Sequence, residues 1–292
     1  MPFLATFCSS LLWTVSTQIF SHQGRRISVF RLNFYKACLA FLFFSLTLIF
    51  FIRDYTAFHI LFSEKPKVLL FLCVSGLSGF AIGDLFTFRA FAIMGAARGL
   101  MIQCFAPIFV AAYSYILLGT TLSPRKLVGL GFLTLCVFCL SFDKKQKLPF
   151  SWHAVLLCFT GMLFDSFGVV LSKMSFTAIP ELTSVHANVI RIGVSVPVLF
   201  LINAARKKHF GISDLPKQQR SLIILGSFFG TYLALMCYLY AISHVEAAVI
   251  TGLASITPLY ASAYEHVRDK IFPSLAFFIA LSCMFCGVYL LM

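Results

Sequence analysis

Ten apolar stretches, each close to the length of a bilayer-crossing helix, follow one another along the chain: residues 2–20, 29–52, 67–92, 95–118, 124–142, 152–174, 183–204, 219–242, 245–265 and 271–292. Crossing the hydrocarbon core takes about 20 mostly apolar residues. Most stretches are closed by polar or turn residues, such as Gln23-Gly24-Arg25, Glu64-Lys65-Pro66, Ser123-Pro124 and Asp214-Leu215-Pro216. No ten-residue alternation of apolar and polar residues appears, which argues against a transmembrane β-barrel. A spanning backbone must satisfy its own hydrogen bonds, so the stretches are expected to be helices. Of 292 residues, 60% are hydrophobic and 11% charged, against about 25% charged in a soluble domain. The expected fold class is an all-α polytopic membrane protein of ten transmembrane helices, with no room for a soluble catalytic domain.

A net charge of +13 would suggest nucleic acid in a soluble chain. Here most of the cations fall in short connections, among them Arg25 and Arg26, Lys65 and Lys67, Lys144, Lys145 and Lys147, and Arg206, Lys207 and Lys208. Juxtamembrane Lys and Arg suit anionic headgroups and insertion, so the expected partner is the lipid surface and not nucleic acid. Counted by side, the connections that share a face with Arg25 hold more cations than those that share a face with Arg53, which by the positive-inside rule places both termini outside. The ten cysteines lie almost entirely inside apolar runs, where a free thiol behaves as a small hydrophobe. The amino-terminal MPFLATFCSSLLW lacks a basic n-region and a small-residue cleavage site, and is expected to be a retained first helix.

The clearest polar break at mid-length is DKKQKLPF, residues 143–150. It divides the chain into a first repeat at 1–142 (five helices), a linker, and a second repeat at 151–292 (five helices). Sliding one half over the other by 151 positions superposes Gly79 on Gly230, Ala90 on Ala241, Ala96 on Ala247 and Pro107 on Pro258. The same shift matches Tyr113 to Tyr264. With slightly different shifts, Asn33-Phe-Tyr-Lys36 echoes Asn188-Val-Ile-Arg191, and Cys136-Val-Phe-Cys139 echoes Cys283-Met-Phe-Cys286. A repeat of five spans must re-enter the membrane in the opposite sense, giving two inverted five-helix repeats, a recurrent plan of secondary transporters.

On these residues the chain resembles a family. The stretch 82–119, with Gly83-Asp84, Phe88-Arg89-Ala90, Gly95-Ala96-Ala97 and Pro107 in the following helix, is similar to the EamA-type repeat of the drug/metabolite transporter superfamily, and 238–265 is its second-half counterpart. One departure is plain: Leu118-Gly119 is followed by Thr120 where the family commonly has Glu, so any role of that Glu does not carry over. The resemblance implies a transporter of amino acids, nucleosides or related metabolites. It also implies a multi-pass location in a bacterial inner (plasma) membrane, as monomer or homodimer.

Ionisable groups inside a spanning helix cost roughly 2.5–3.5 kcal/mol on insertion scales, and so mark functional candidates. Asp165 stands near the middle of the sixth stretch with no charged neighbour at i±3 or i±4; any partner must come from another helix. It is a candidate coupling carboxylate, or else a helix-to-helix hydrogen bond. Asp84 is the second candidate. Arg89, five positions on, points about 140° away and can snorkel to the interface. Lys36 and Arg191 occupy matching places and either bind an anionic substrate or snorkel. Pro107 and Pro258 are expected to break their helices at corresponding positions, which points to the transport site. Gln103, Tyr113 and Tyr264 nearby, and Trp13 in the first helix, complete the candidates for substrate contact.

No Gly-rich loop ending in Gly-Lys-Ser/Thr is present, so direct ATP drive is not expected, and coupling to protons or exchange against a counter-substrate remains. His-Glu-x-x-His and Gly-x-Ser-x-Gly are absent and the histidines are scattered. No cofactor or metal is expected, and the chain is not expected to be an enzyme. The alternative is an intramembrane thiol-redox or metal-binding protein that uses the paired Cys-x-x-Cys segments.

Overall fold

A computed structural model of the chain describes residues 1–141, 151–206, 214–261, 263 and 275–291. Every regular element among them is helical. In chain order these are α1 (Pro2–Gly24), α2 (Val29–Ile52), α3 (Pro66–Met94), α4 (Ala96–Gln103), α5 (Ala106–Leu118), α6 (Pro124–Ser141), α7 (Trp152–Ala178), α8 (Ser184–Ala205), α9 (Lys217–His244), α10 (Ala247–Ala254) and α11 (Leu275–Leu291). A short helical connection, Thr56–His59 followed by Ile60–Glu64, joins α2 to α3. Seven helical stretches among the described residues are long and apolar enough to cross a membrane: α1, α2, α3, Arg98–Leu118 (interrupted between α4 and α5), α7, α8 and α9. The linker 143–150 and Tyr264 lie outside the described residues.

The tight boundary between the third and fourth stretches is made by a single residue. Gly95 adopts φ +90°, a conformation that a Cβ would strain, and the chain turns there from α3 into α4. Between α9 and α10 the turn uses Val245 and Glu246 in extended conformations instead. At the start of α8, Thr183 and His186 form a reciprocal capping box that satisfies otherwise orphaned backbone donors.

Two helices, α1 and α7, make extensive contacts with the other half of the chain. The first packs along α9 and α10, and the second along α3, α4 and α5. Small residues let these backbones approach: Gly161 of α7 meets Gly83 and Thr87 of α3, and Gly168 meets Ser75 and Gly79. This is the small-residue packing that lets membrane helices gain contact where lipid gives no hydrophobic driving force. At one end of the bundle Lys65 Nζ donates to Ala178 O (2.6 Å) and His186 Nε2 meets Asp54 O (2.7 Å). At the other end Cys158 Sγ donates to Gly99 O (3.4 Å) and Asn203 Nδ2 to Phe30 O (3.1 Å).

Both α3 and α9 loosen in mid-helix into π-type turns, at Leu77–Gly83 and Ser227–Ala234. These segments fall at places related by the sequence shift described above. Short π-turns inside α-helices are frequent at functional sites. Each leaves a carbonyl that a neighbouring side chain satisfies: Asn33 Nδ2 donates to Phe80 O (2.7 Å), and Trp13 Nε1 to Gly230 O (3.1 Å).

The prolines correct one expectation. The helix breaks fall at Cys104–Phe105 and Ser255–Ile256, just ahead of Pro107 and Pro258, and helix resumes at Ala106 and at 257. Each proline therefore sits in the first turn of the resumed helix, where its missing N–H is no loss, and not in a helix interior.

Candidate functional site

A cavity of about 190 Å³ opens in the middle of the bundle, against the π-turns of α3 and α9 and the breaks after α4 and α10. Four ionisable side chains enter it: Lys36 from α2, Asp84 from α3, Asp165 from α7 and Arg191 from α8. Trp13, Gln103 and Pro258 also line it, so the structure gathers most of the residues selected from the sequence. Pro107 is buried but does not line it. Tyr113 is directed elsewhere, packing edge-on against Phe167 with ring centroids 5.6 Å apart.

The two cations do not snorkel. Lys36 is 3% exposed and Arg191 2%, because each reaches its helix one to two turns below the end and finds partners there. Lys36 Nζ forms a hydrogen-bonded ion pair with Asp84 Oδ2 and lies 4.4 Å from the ring centre of Phe88. Arg191 donates from Nε to Ser75 Oγ (2.9 Å) and from Nη1 to Asn188 Oδ1 (3.3 Å). Its guanidinium carbon is 5.1 Å from the centre of Phe80, and Lys36 Nζ is 5.7 Å from the same ring. The aromatic ring thus stands near both like charges, and its quadrupole favours each. Arg89, by contrast, is exposed, as expected.

Asp165 differs from Asp84. No hydrogen bond or ion pair among the described residues reaches its carboxylate, and its side chain is exposed to the cavity it lines. Gly79, opposite, leaves room for it: a Cβ there would lie 3.3 Å from Asp165 Oδ1 and 3.7 Å from Arg191 Nη2.

The remaining wall is aromatic and hydroxylic. Trp13 and Tyr238 meet with ring centroids 4.9 Å apart, and the Tyr238 hydroxyl bonds Thr251 Oγ1 at 2.8 Å. Gln103 Nε2 donates to Thr87 Oγ1 (3.2 Å). Tyr238, Phe80, Phe88, Thr87 and Thr251 escaped the sequence reading because nothing distinguishes a cavity-facing Phe, Tyr or Thr from its many counterparts in apolar runs. Only Phe80 and Gly230, each at the centre of a π-turn, carry a local signal, their neighbouring glycines.

In the turn between α9 and α10, Glu246 pairs with Lys126 at the start of α6. Burial pushes its carboxyl up, but hydrogen bonds from Lys126 and from its own backbone, with the charges of Lys126 and Lys173, outweigh this and leave it below the usual carboxylate range. The Cys-x-x-Cys segments lie on α6 and α11, which pack along one another, with Cys136 and Cys283 buried in one cluster and Cys286 exposed. No set of three or more His, Cys, Asp or Glu suited to a metal ion is found among the described residues.

Comparison with known proteins agrees with this arrangement. A model of the EamA-like transporter family matches residues 1–142 and 152–292. A protein of known crystal structure superposes with TM-score 0.75, covering 99% of this chain and 95% of its own at 16% sequence identity, a likeness of fold alone. No curated protein matches the sequence significantly. The family match spans nearly the whole chain, and the protein is therefore a multi-pass membrane protein that belongs to the EamA-like transporter family.

Proposed function

We propose that the chain is a secondary transporter that moves a small polar metabolite through the central cavity by alternating access, coupled to protons or to exchange of a counter-substrate. In this reading ten spans form two inverted five-helix repeats, 1–142 and 151–292, joined by 143–150 and set in a bacterial inner membrane. The observation that carries it is the cavity itself, with two carboxylates and two cations at mid-bundle depth. Such groups are costly in a membrane unless they serve a pathway. The matched π-turns and helix breaks around the cavity are where two halves could rock about a fixed site. α1 and α7 pack on opposite partners, which fits a pseudo-twofold axis through the cavity.

Of the two carboxylates, Asp165 is assigned the coupling role, because Asp84 is already held by Lys36. The test is flux into proteoliposomes loaded with pooled unlabelled amino acids and nucleosides, with labelled members of the pool outside. Saturable counterflow that depends on the protein is expected. Absence of counterflow for every member, from protein that remains folded, would remove this substrate range. Retention of the wild-type pH dependence by Asp165→Asn would remove the coupling assignment.

A further inference from the structure

Six titratable side chains line the cavity, and four of them are engaged by neighbours. Lys36 is paired with Asp84. The Tyr238 hydroxyl bonds Thr251 Oγ1 (2.8 Å), and the Cys104 thiol donates to Ser255 O (3.2 Å). Asp165 and Arg191 remain. No hydrogen bond among the described residues reaches the Asp165 carboxylate, and Arg191 has only neutral partners, Ser75 at Nε and Asn188 at Nη1. Its Nη2 is left over, and its anchor sets where that atom points. Ser75, on α3, donates to Gly168 O (2.6 Å) and meets Ser172 Oγ (2.8 Å), both on α7, the helix that carries Asp165. Between the two groups lies Gly79, in the π-turn of α3. A Cβ there would be 3.3 Å from Asp165 Oδ1 and 3.7 Å from Arg191 Nη2. The two atoms therefore flank one vacant point, no more than about 7 Å apart, and do not form an ion pair. Closing such a gap to the roughly 2.7–2.9 Å of an ionic hydrogen bond takes side-chain motion alone.

We infer that Arg191 is the counter-charge of Asp165, a positioning residue that crosses the Gly79 gap onto the ionised carboxylate when the cavity is empty. What loads Asp165, a proton or a donor on the solute, displaces the guanidinium and restores the open arrangement. An isolated ion in a membrane interior is costly; the closed pair lets the empty protein change conformation without one. The inference rests on the transporter reading for this cycle, but the pairing itself does not need it.

The test is a double-mutant cycle on the purified full chain in nanodiscs, read as unfolding midpoints at pH 8 without solute. Arg191→Gln and Asp165→Asn should each lower the midpoint, and the double variant should lose less than half the sum of the two losses. In the Gly79→Ala background, where a methyl occupies the gap, this non-additivity should vanish. Additive losses overturn the proposal. So does non-additivity that survives Gly79→Ala, which would show two charges acting at a distance. If a single variant does not fold, a folded double variant supports the pair, and a double variant that also fails overturns it. Flux adds a readout that packing alone would not move, since counterflow keeps the cavity loaded whereas net efflux requires the empty protein to return. With the labelled pool of amino acids and nucleosides, Arg191→Gln should slow net efflux at least tenfold more than counterflow, and adding Asp165→Asn should restore it. Equal loss of both in folded protein overturns the proposal. Non-additive stability without flux of any pool member would sustain the pair and end the transport reading; counterflow with additive stabilities would do the reverse.

Discussion

The thiol of Cys104 donates to the carbonyl of Ser255 at 3.2 Å, and the two residues are 151 positions apart in the chain. They occupy the same place in the two halves, each at the break that precedes a proline. In the proposed inverted repeat, equivalent points touch only where the axis relating them passes, which would set that axis at the cavity wall.

That contact predicts a crosslink. With Cys104 kept, the other cysteines replaced by alanine and Ser255→Cys introduced, a short bifunctional thiol reagent should join the two positions and stop counterflow. Reduced thiols should transport normally. Full transport by the crosslinked protein would show that the breaks do not move relative to one another.

The Lys36–Asp84 pair predicts a non-additive stability pattern. Removing one partner of a buried ion pair leaves the other charged in an apolar setting, which costs about 3–5 kcal/mol, whereas removing both is far cheaper. Lys36→Met and Asp84→Leu should each lower the unfolding midpoint in detergent, and the double variant should recover much of the loss. Additive single losses would mean that the two groups do not depend on each other.

Trp13 and Asn33 hold carbonyls that the π-turns of α9 and α3 release. Trp13→Phe keeps the ring contact with Tyr238 but removes the donor, leaving Gly230 O without it. A loss of about 1–3 kcal/mol is expected for a buried group deprived of its partner, read by denaturant titration together with a slower flux. Asn33→Leu should do the same at Phe80 O. Unchanged stability and flux in both variants would mean that these carbonyls need no such support.

The paired cysteines separate transport from thiol chemistry. Replacing Cys136, Cys139, Cys283 and Cys286 together by alanine removes every thiol of the two segments, none of which lines the cavity. Counterflow within about twofold of the parent is expected, since packing losses here fall on stability and not on the site. Loss of activity in folded protein would restore the redox alternative.

Legibility followed the energetic cost of misplacement. An Asp, Lys or Arg in an apolar run is expensive wherever it goes, so Asp84, Asp165, Lys36 and Arg191 declared themselves before any coordinates. Aromatic and hydroxyl residues carry no such penalty. Tyr113 was singled out and turned away from the cavity, whereas Tyr238 passed unnoticed and lines it. The prolines gave the right neighbourhood for the breaks but the wrong geometry, because a proline can open a helix as well as bend one.

Length, apolarity and the echo between halves come from the order of residues alone, since each depends on near neighbours or on a fixed shift along the chain. Which charges neutralise one another does not. Lys36 and Asp84 are 48 residues apart, and Arg191 meets Ser75 across 116; only the packing of α2, α3, α7 and α8 brings them within hydrogen-bonding reach. That packing left Asp165 as the carboxylate facing open space, because the glycines of α3 let α7 approach closely while Gly79 provides no side chain to fill the gap.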